Sequence, residues 1–328
     1  MGTEALTVDL LFDDVQQAIA DGIGQFCRDR FPDEVAKQPI GSLPRALWSE
    51  LAQLGVLALA TPEGDGKAVE MVAACEALGS AVFPGPLVHT FMATQLVDAE
   101  ERVALASGRS VVSIGEPPLM PWANDASLFV ELDGDRAFVA RPTGQIETVS
   151  TLGGEPWGRV DLEREREVSG VARAIALYEI ALAAYLTAAA RQLVAASSEH
   201  ARTRKQFGKA IGEFQAVAHP LADCEMRLSA AQTLAREAAF RFDAAPSPET
   251  SRSSAAPDAR VRAAASTARL SAAAASVEAI SVCHQLFGAI GITLEGPIFH
   301  ITRRIRQLVS QRPGEDAARR SVLEHFGV

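Results

Sequence analysis

Cysteine is scarce in this 328-residue chain: Cys27, Cys75, Cys224 and Cys283 lie far apart, with no Cys-x-x-Cys pair and no histidine at ligand spacing. That excludes a disulfide framework and the usual zinc sites, and no metal ligand set is assigned. The four thiols read as small buried apolar groups in a reducing compartment. Positive charge is also short, 31 Lys and Arg against 41 Asp and Glu, for a net charge of −10. Such a field repels phosphate at long range and speaks against general binding to nucleic acid or an anionic membrane. The opening residues, MGTEALTVDLLFDDV, lack a basic segment followed by an apolar run, so no secretory signal is expected. Leu6 stands where a myristoylation signal wants Ser or Thr. No long uninterrupted apolar run exists either. The most apolar stretch, 174–190, contains Glu179 and is mostly alanine, which predicts a buried helix instead of a membrane span and a cytoplasmic protein.

What the chain has in plenty is apolar periodicity. Hydrophobic residues make up 48% and charged residues 22%, with a mean hydropathy of +0.09, the balance of a folded globular protein. Leu11, Val15, Ala18, Ile19, Ile23 and Phe26 recur at close to 3.6 and predict a helix over 9–30, stopped by Pro32. Pro44 opens a short helix that Gly55 closes, and 67–78 and 87–97 follow as two more. Between about 109 and 162 the period becomes two, in 110–114, 127–132 and 136–140, with Asp133-Gly134-Asp135 as a turn. That predicts a small antiparallel β module. From about Glu163 the pattern is helical again, over 163–203, 214–242 and 257–286, then in two short helices broken at Pro313-Gly314. The stretch 244–257 reads as a polar Pro/Ser connector. Long helices joined by short loops pack as antiparallel neighbours, so the third zone predicts a four-helix bundle. The expectation is a mainly α protein with a small β module: an N-terminal helical domain (1–108), a middle β domain (109–162) and a C-terminal helical bundle domain (163–328).

Arg204 falls where the long helix gives way to a Gly-containing turn, beside Lys205 and near Arg202 and Lys209. A guanidinium there offers a planar fork for a diphosphate, and Phe207 a flat apolar face for a flat ligand; a solvated basic helix end has the same composition. The segment from Arg202 to Asp223, RTRKQFGKAIGEFQAVAHPLAD, closely resembles the acyl-CoA dehydrogenase signature R-x-x-F-G-x-x-I-x-x-F-Q with its following L-A-D. The segment from Cys283 to Glu295, CHQLFGAIGITLE, resembles the same family's Q-x-F/H-G-G-x-G-x-T-x-E element. A weaker match runs from Leu47 to Leu57 with Pro62-Glu63, and the helix–β–helix order is also that family's. The resemblance implies an FAD enzyme in which the matching Arg reaches the flavin diphosphate of the neighbouring subunit. By that carry-over Arg204, Gln206, Phe207, Gln215, Gln285, Gly288 and Ala289 are the expected FAD contacts, Ala289 standing in for a second glycine.

Against that pattern several family features are missing. Members holding their own flavin have a larger middle β domain with a T-E-P-x-A-G-S-D stretch and a W-I-T/S segment. Here Ile114-Gly115-Glu116-Pro117-Pro118-Leu119 keeps only the Glu-Pro, and Trp122 and Trp157 read as structural or rim residues. Removing the acyl α-proton while the β-hydride moves to the flavin needs a carboxylate. The family's two alternative base positions fall on Arg312 and Tyr178. Glu179 is displaced from Tyr178 by one helical step of about 100° and is expected to face a partner or solvent. Glu315 lies beyond the Pro-Gly break, and Glu295 matches a family Glu that is not the base. His284 and His300 read as packing residues. No catalytic residue is therefore assigned to this chain.

Contacts given across an interface are kept and those serving the chain's own site are lost. This resembles the short subunit of actinobacterial α2β2 heterotetrameric acyl-CoA dehydrogenases of the steroid side-chain type. It implies a full-length partner subunit that shares the FAD and supplies the base, a bulky acyl-CoA substrate, and an electron-transfer flavoprotein as acceptor. Two other readings stay open on sequence alone: a homomeric dehydrogenase with Glu179 as a displaced base, and a non-catalytic acyl-CoA-binding scaffold.

Overall fold

Reciprocal caps start two of the N-terminal helices. Asp13 accepts from the Gln16 backbone N–H while the Gln16 side chain accepts from that of Asp13, opening α1 (Asp14–Arg30). Asp98 and Glu101 do the same for α6 (Ala99–Ala106). This is a computed structural model, and it describes residues 10–38, 40–62, 64–245 and 259–327. Between those caps lie α2 (Asp33–Ala36), α3 (Arg45–Gln53), α4 (Ala68–Ser80) and α5 (Leu87–Thr94). Gly55 closes α3 at φ +80°, as its place in the sequence predicts. The helix expected over 87–97 ends instead at Thr94, and α6 follows it; the signal was the Asp98-x-x-Glu101 box.

The β module holds β1 (Val112–Gly115), β2 (Leu119–Pro121), β3 (Leu128–Asp133), β4 (Arg136–Pro142), β5 (Glu147–Val149), β6 (Trp157–Arg159) and β7 (Leu162–Val168). They form a four-stranded sheet, β1-β3-β4-β7, and a three-stranded one, β2-β6-β5. The module is not wholly antiparallel: β1 pairs with β3 in parallel. The chain between them detours through β2 in the other sheet and returns to run the same way. It also reaches past 162, because Leu162-Glu-Arg-Glu-Arg-Glu-Val168 is a strand, and the helical zone begins at Val171. That run looks polar and helical by composition. Its charges instead pair across strands, Arg136 with Glu167, Arg141 with Glu163 and Arg164 with Glu131. Charges on an edge strand also deter further strand addition. Trp122 is buried in the core, as its structural reading expects.

The C-terminal bundle is made of α7 (Val171–Thr203), α8 (Gln215–Ala244), α9 (Ala259–Phe287), α10 (Phe299–Ser310) and α11 (Glu315–Phe326). The expected connector 244–257 falls mostly outside the described residues. Every residue from Ala176 to Ala190 is buried, so the alanine-rich stretch is a core helix. Small residues let its neighbours come close: a Cβ added at Gly79 of α4 would lie 2.4 Å from the Tyr185 carbonyl of α7. By length and composition α7 and the 259–292 segment could both cross a membrane. In its most apolar window α7 is 83% buried inside the fold, and the second segment only 33%. The second therefore keeps an open apolar flank. All four cysteines are buried, and burial pushes the Cys27 thiol up to about 12 and that of Cys283 to about 11.

Candidate functional site at one end of the bundle

At the end of α7 the backbone of Arg204 becomes extended, at φ −72° and ψ 124°, and its N–H still donates to the His200 carbonyl at 2.8 Å. A hairpin follows, β8 (Lys205–Gln206) against β9 (Lys209–Ala210). Its two turn residues, Phe207 and Gly208, both sit at positive φ, +53° and +82°. This is the turn whose twist matches a hairpin; Gly accepts it freely, and Phe only under strain. The Phe207 ring stands out in solvent, 93% exposed, edge-on to Phe214 at 6.2 Å. Lys209 Nζ lies 4.3 Å from the Phe214 ring centre. The Ile211 N–H donates to the Arg204 carbonyl and closes the loop, and Gln215 begins α8.

The second motif comes to the same place. α9 ends at Phe287, and a 3-10 turn over Gly288–Ile292 begins with Gly288 at φ +61°. The His200 ring of α7 stacks on Phe287 at 4.5 Å and 26°, which fixes one helix end against the other. Burial first, and then the Arg204 charge, hold the His200 pKa below its ordinary value. The seven residues expected to touch FAD thus gather where α7 ends, α8 begins and α9 ends, and all seven are exposed. Among the described residues the Arg204 guanidinium has no hydrogen bond or ion pair, whereas Arg202 pairs with Glu199 at 2.9 Å. Ile290, Ile292 and Leu294 beside them are also more than half exposed.

This donor set fits a flavin nucleotide: a free guanidinium for the diphosphate, a ring face, three exposed amides and a Gly-Ala turn allowing close backbone approach. It supplies one wall only and encloses nothing. Next to it a cleft of about 850 Å³ runs between α7, α8 and the 211–213 turn, floored by Val194, Ala195, Ala218, Leu221 and Ala222. Small apolar residues on two separate helices gave no sequence signal for it.

The two family base positions lie elsewhere, at the junction of α5, α7, α9 and the loop between α10 and α11. Tyr178 is fully buried and stacks on His89 at 5.2 Å, and His89 Nε2 donates to the Arg312 carbonyl at 3.1 Å. Glu179 does not face a partner or solvent as the sequence suggests; it is 1% exposed in the core. Ser266 Oγ donates to it at 2.8 Å, and Arg269 Nη1 stands 3.9 Å away. The reason is that both faces of α7 are covered here, that of Tyr178 by His89 of α5 and that of Glu179 by Ser266 and Arg269 of α9. Burial pushes the Glu179 carboxyl up to about 7 against the pull of Arg269. The Arg312 side chain turns outward, 3.4 Å from Glu116. Glu315 starts α11 and pairs with Arg319 at 3.4 Å, and Glu295 is exposed. His284 meets Thr302 Oγ1 at 2.7 Å and His300 is buried, the packing places expected of them. His89 and Arg269 drew no attention in the sequence, because no local pattern marks either: His89 sits in a short, mostly apolar helix, and Arg269 is one of three arginines in α9.

The families described as acyl-CoA dehydrogenase, N-terminal domain and acyl-CoA dehydrogenase, C-terminal domain match residues 13–99 and 171–311. The acyl-CoA dehydrogenase IpdE2 of Mycobacterium tuberculosis is 29% identical over 273 residues, covering 76% of this chain and 77% of that protein. Among solved structures, the ChsE4-ChsE5 complex from Mycobacterium tuberculosis superposes with a TM-score of 0.79 at 20% identity, over 98% of this chain and 99% of that one. A steroid ACAD, Tcur3481-Tcur3483, superposes at 0.78 and 20% identity, over 95% and 97%.

Proposed function

The chain belongs to the acyl-CoA dehydrogenase family, and from that premise we propose that it is the short subunit of a heteromeric FAD-dependent acyl-CoA dehydrogenase. Its substrate is a bulky acyl-CoA, of the steroid side-chain class, desaturated between the α and β carbons. The observation that carries this reading is the outward-facing set at the bundle end around Arg204, whose guanidinium is unpaired among the described residues, while the two base positions hold the buried Tyr178 and the outward-turned Arg312, neither of them a carboxylate. Two fold neighbours, a ChsE4-ChsE5 complex and a steroid ACAD, support a two-component assembly and that substrate class.

Bound FAD would supply the acceptor for the β-hydride. Arg204 would hold its diphosphate by charge-assisted hydrogen bonds, and Phe207 would offer a flat apolar face to it. Gln206, Gln215 and Gln285 would orient it through their amides, and the Gly288-Ala289 turn would let the backbone come near. The apolar Ile290, Ile292 and Leu294 seat the full-length partner and exclude water from the shared site. The partner supplies the carboxylate that takes the α-proton, and the complex works in the cytoplasm, passing electrons to an electron-transfer flavoprotein. The homomeric alternative needs Glu179 as base, and its carboxylate is enclosed by Ser266 and Arg269.

Co-expression with a full-length acyl-CoA dehydrogenase subunit and the visible flavin band test this. The complex should be yellow and the chain alone nearly colourless. Arg204→Ala should weaken FAD retention by about 10- to 100-fold, the worth of a charge-assisted bond of about 1.5–3 kcal/mol. Arg202→Ala, already paired with Glu199, should do far less. A steroid acyl-CoA should turn over faster than octanoyl-CoA. A stoichiometric yellow homomer, or full flavin retention in both variants, would reject the reading.

A further inference from the structure

The two outward-facing stretches at the bundle end, Arg204–Gln215 and Gln285–Ala289, leave two different helices within a turn of one contact. His200 lies in the last turn of α7, and Phe287 is the last residue of α9. Their half-buried rings stack at 4.5 Å and 26°. Because burial, and next the Arg204 charge, lower the His200 pKa, its ring is uncharged near neutral pH and stacks as an ordinary aromatic. The same turn of α7 carries the Arg204 loop. The His200 carbonyl accepts the Arg204 N–H at 2.8 Å, and the Arg204 carbonyl accepts that of Ile211 at 2.8 Å. The returning arm of the hairpin lies on α7 beside His200, where a Cβ added at Gly212 would fall 3.1 Å from the Ala201 carbonyl oxygen. On the other helix the 3-10 turn folds back on Phe287, where a Cβ added at Gly291 would fall 3.0 Å from Phe287 Cβ. Each turn is seated on the residue that carries one ring of the pair or on its neighbour, and the stack joins the two seats. Binding groups on separate turns act on one ligand only when the packing behind them holds them to about 0.5 Å.

We propose that His200 is a positioning residue for the flavin nucleotide: its stack on Phe287 sets the Arg204 loop against the Gly288-Ala289 turn, so that one cofactor meets both. The imidazole acts through these groups and not by touching the cofactor. The proposal rests on the FAD reading of this site.

Two measurements test it. In the chain alone, hydrogen exchange at the Ile211 and Thr293 amides, bonded to the Arg204 and Ile290 carbonyls at 2.8 and 3.3 Å, reads the two turns. His200→Ala should speed exchange at both by about three- to tenfold, the worth of one aromatic pair, although Thr293 belongs to the turn of the other helix. His200→Phe keeps the stack and should leave both within about twofold of wild type. In the complex with a full-length subunit, His200→Ala should weaken FAD retention by about three- to tenfold, and His200→Phe should restore it. The loss should shrink below about twofold once Arg204→Ala has removed the group that His200 positions. Unchanged Thr293 exchange in His200→Ala, equal losses in His200→Ala and His200→Phe, or additive losses with Arg204→Ala each overturn the proposal. Phe287→Leu removes the stack from the other side and decides the case if His200→Ala does not fold. A colourless wild-type complex brings down the FAD reading and this proposal together. A yellow complex with any of the three contrary results brings down this proposal alone.

Discussion

His89 and Glu179 titrate in opposite senses inside one buried cluster. Burial is the main cause of both shifts: it draws His89 from 6.5 down to about 4 and pushes Glu179 from 4.5 up to about 7. Neutral His89 in the native state competes with a protonated imidazole in the unfolded chain. Its contribution is whole above pH 6.5 and is lost as pH falls toward 4. Native Glu179 keeps a proton that the unfolded chain releases above 4.5, so its contribution is whole below 4.5 and is lost as pH rises through about 7. Each shift corresponds to at most about 3 kcal/mol, at about 1.4 kcal/mol per pH unit. Between pH 4.5 and 6.5 the two slopes oppose each other. Urea unfolding of the wild type, Glu179→Gln and His89→Gln across pH 4 to 7.5 separates them. The stability of Glu179→Gln relative to wild type should climb with pH, by up to about 3 kcal/mol, and that of His89→Gln should fall by a similar amount. His300, also drawn to about 4, is present in all three proteins and cancels in the differences. Three parallel curves would refute the burial argument for both groups.

Three further perturbations probe other parts of the fold. A Cβ at Gly153 would fall 1.4 Å from Gln307 Oε1, and Gln307 is held in turn by Glu155 at 3.2 Å. Gly153→Ala should therefore lower stability by about 1–3 kcal/mol, read as a fall in Tm. Asp243 accepts from the Ala68 and Val69 N–H groups at 2.8 and 3.1 Å and so caps α4 from a distance; Asp243→Ala should cost about 0.5–2 kcal/mol in urea unfolding. Phe207→Gly relieves a left-handed backbone, so stability should change by less than about 1 kcal/mol, while FAD retention in the two-subunit complex drops measurably.

Some of this protein was settled by residues close together in sequence. The 3.6-residue spacing and the stops at Pro32 and Gly55 place most helices to within a few residues, because a helix is made by neighbours and its caps by residues three apart. The Arg204–Gln215 and Gln285–Ala289 stretches were legible as motifs for the same reason: each is short and continuous in sequence. That both stretches share one end of the bundle depends on how α7 and α9 align, which the His200–Phe287 stack fixes and no local pattern encodes. β7 escaped the sequence reading because its alternating Glu and Arg become a strand only beside the matching charges of β3 and β4. The parallel pairing of β1 with β3 likewise follows from a detour through a second sheet. Glu179 is the clearest case. Its distance from Tyr178 along the helix was known from sequence, but whether its face met water or a buried arginine was decided by α9, almost ninety residues away.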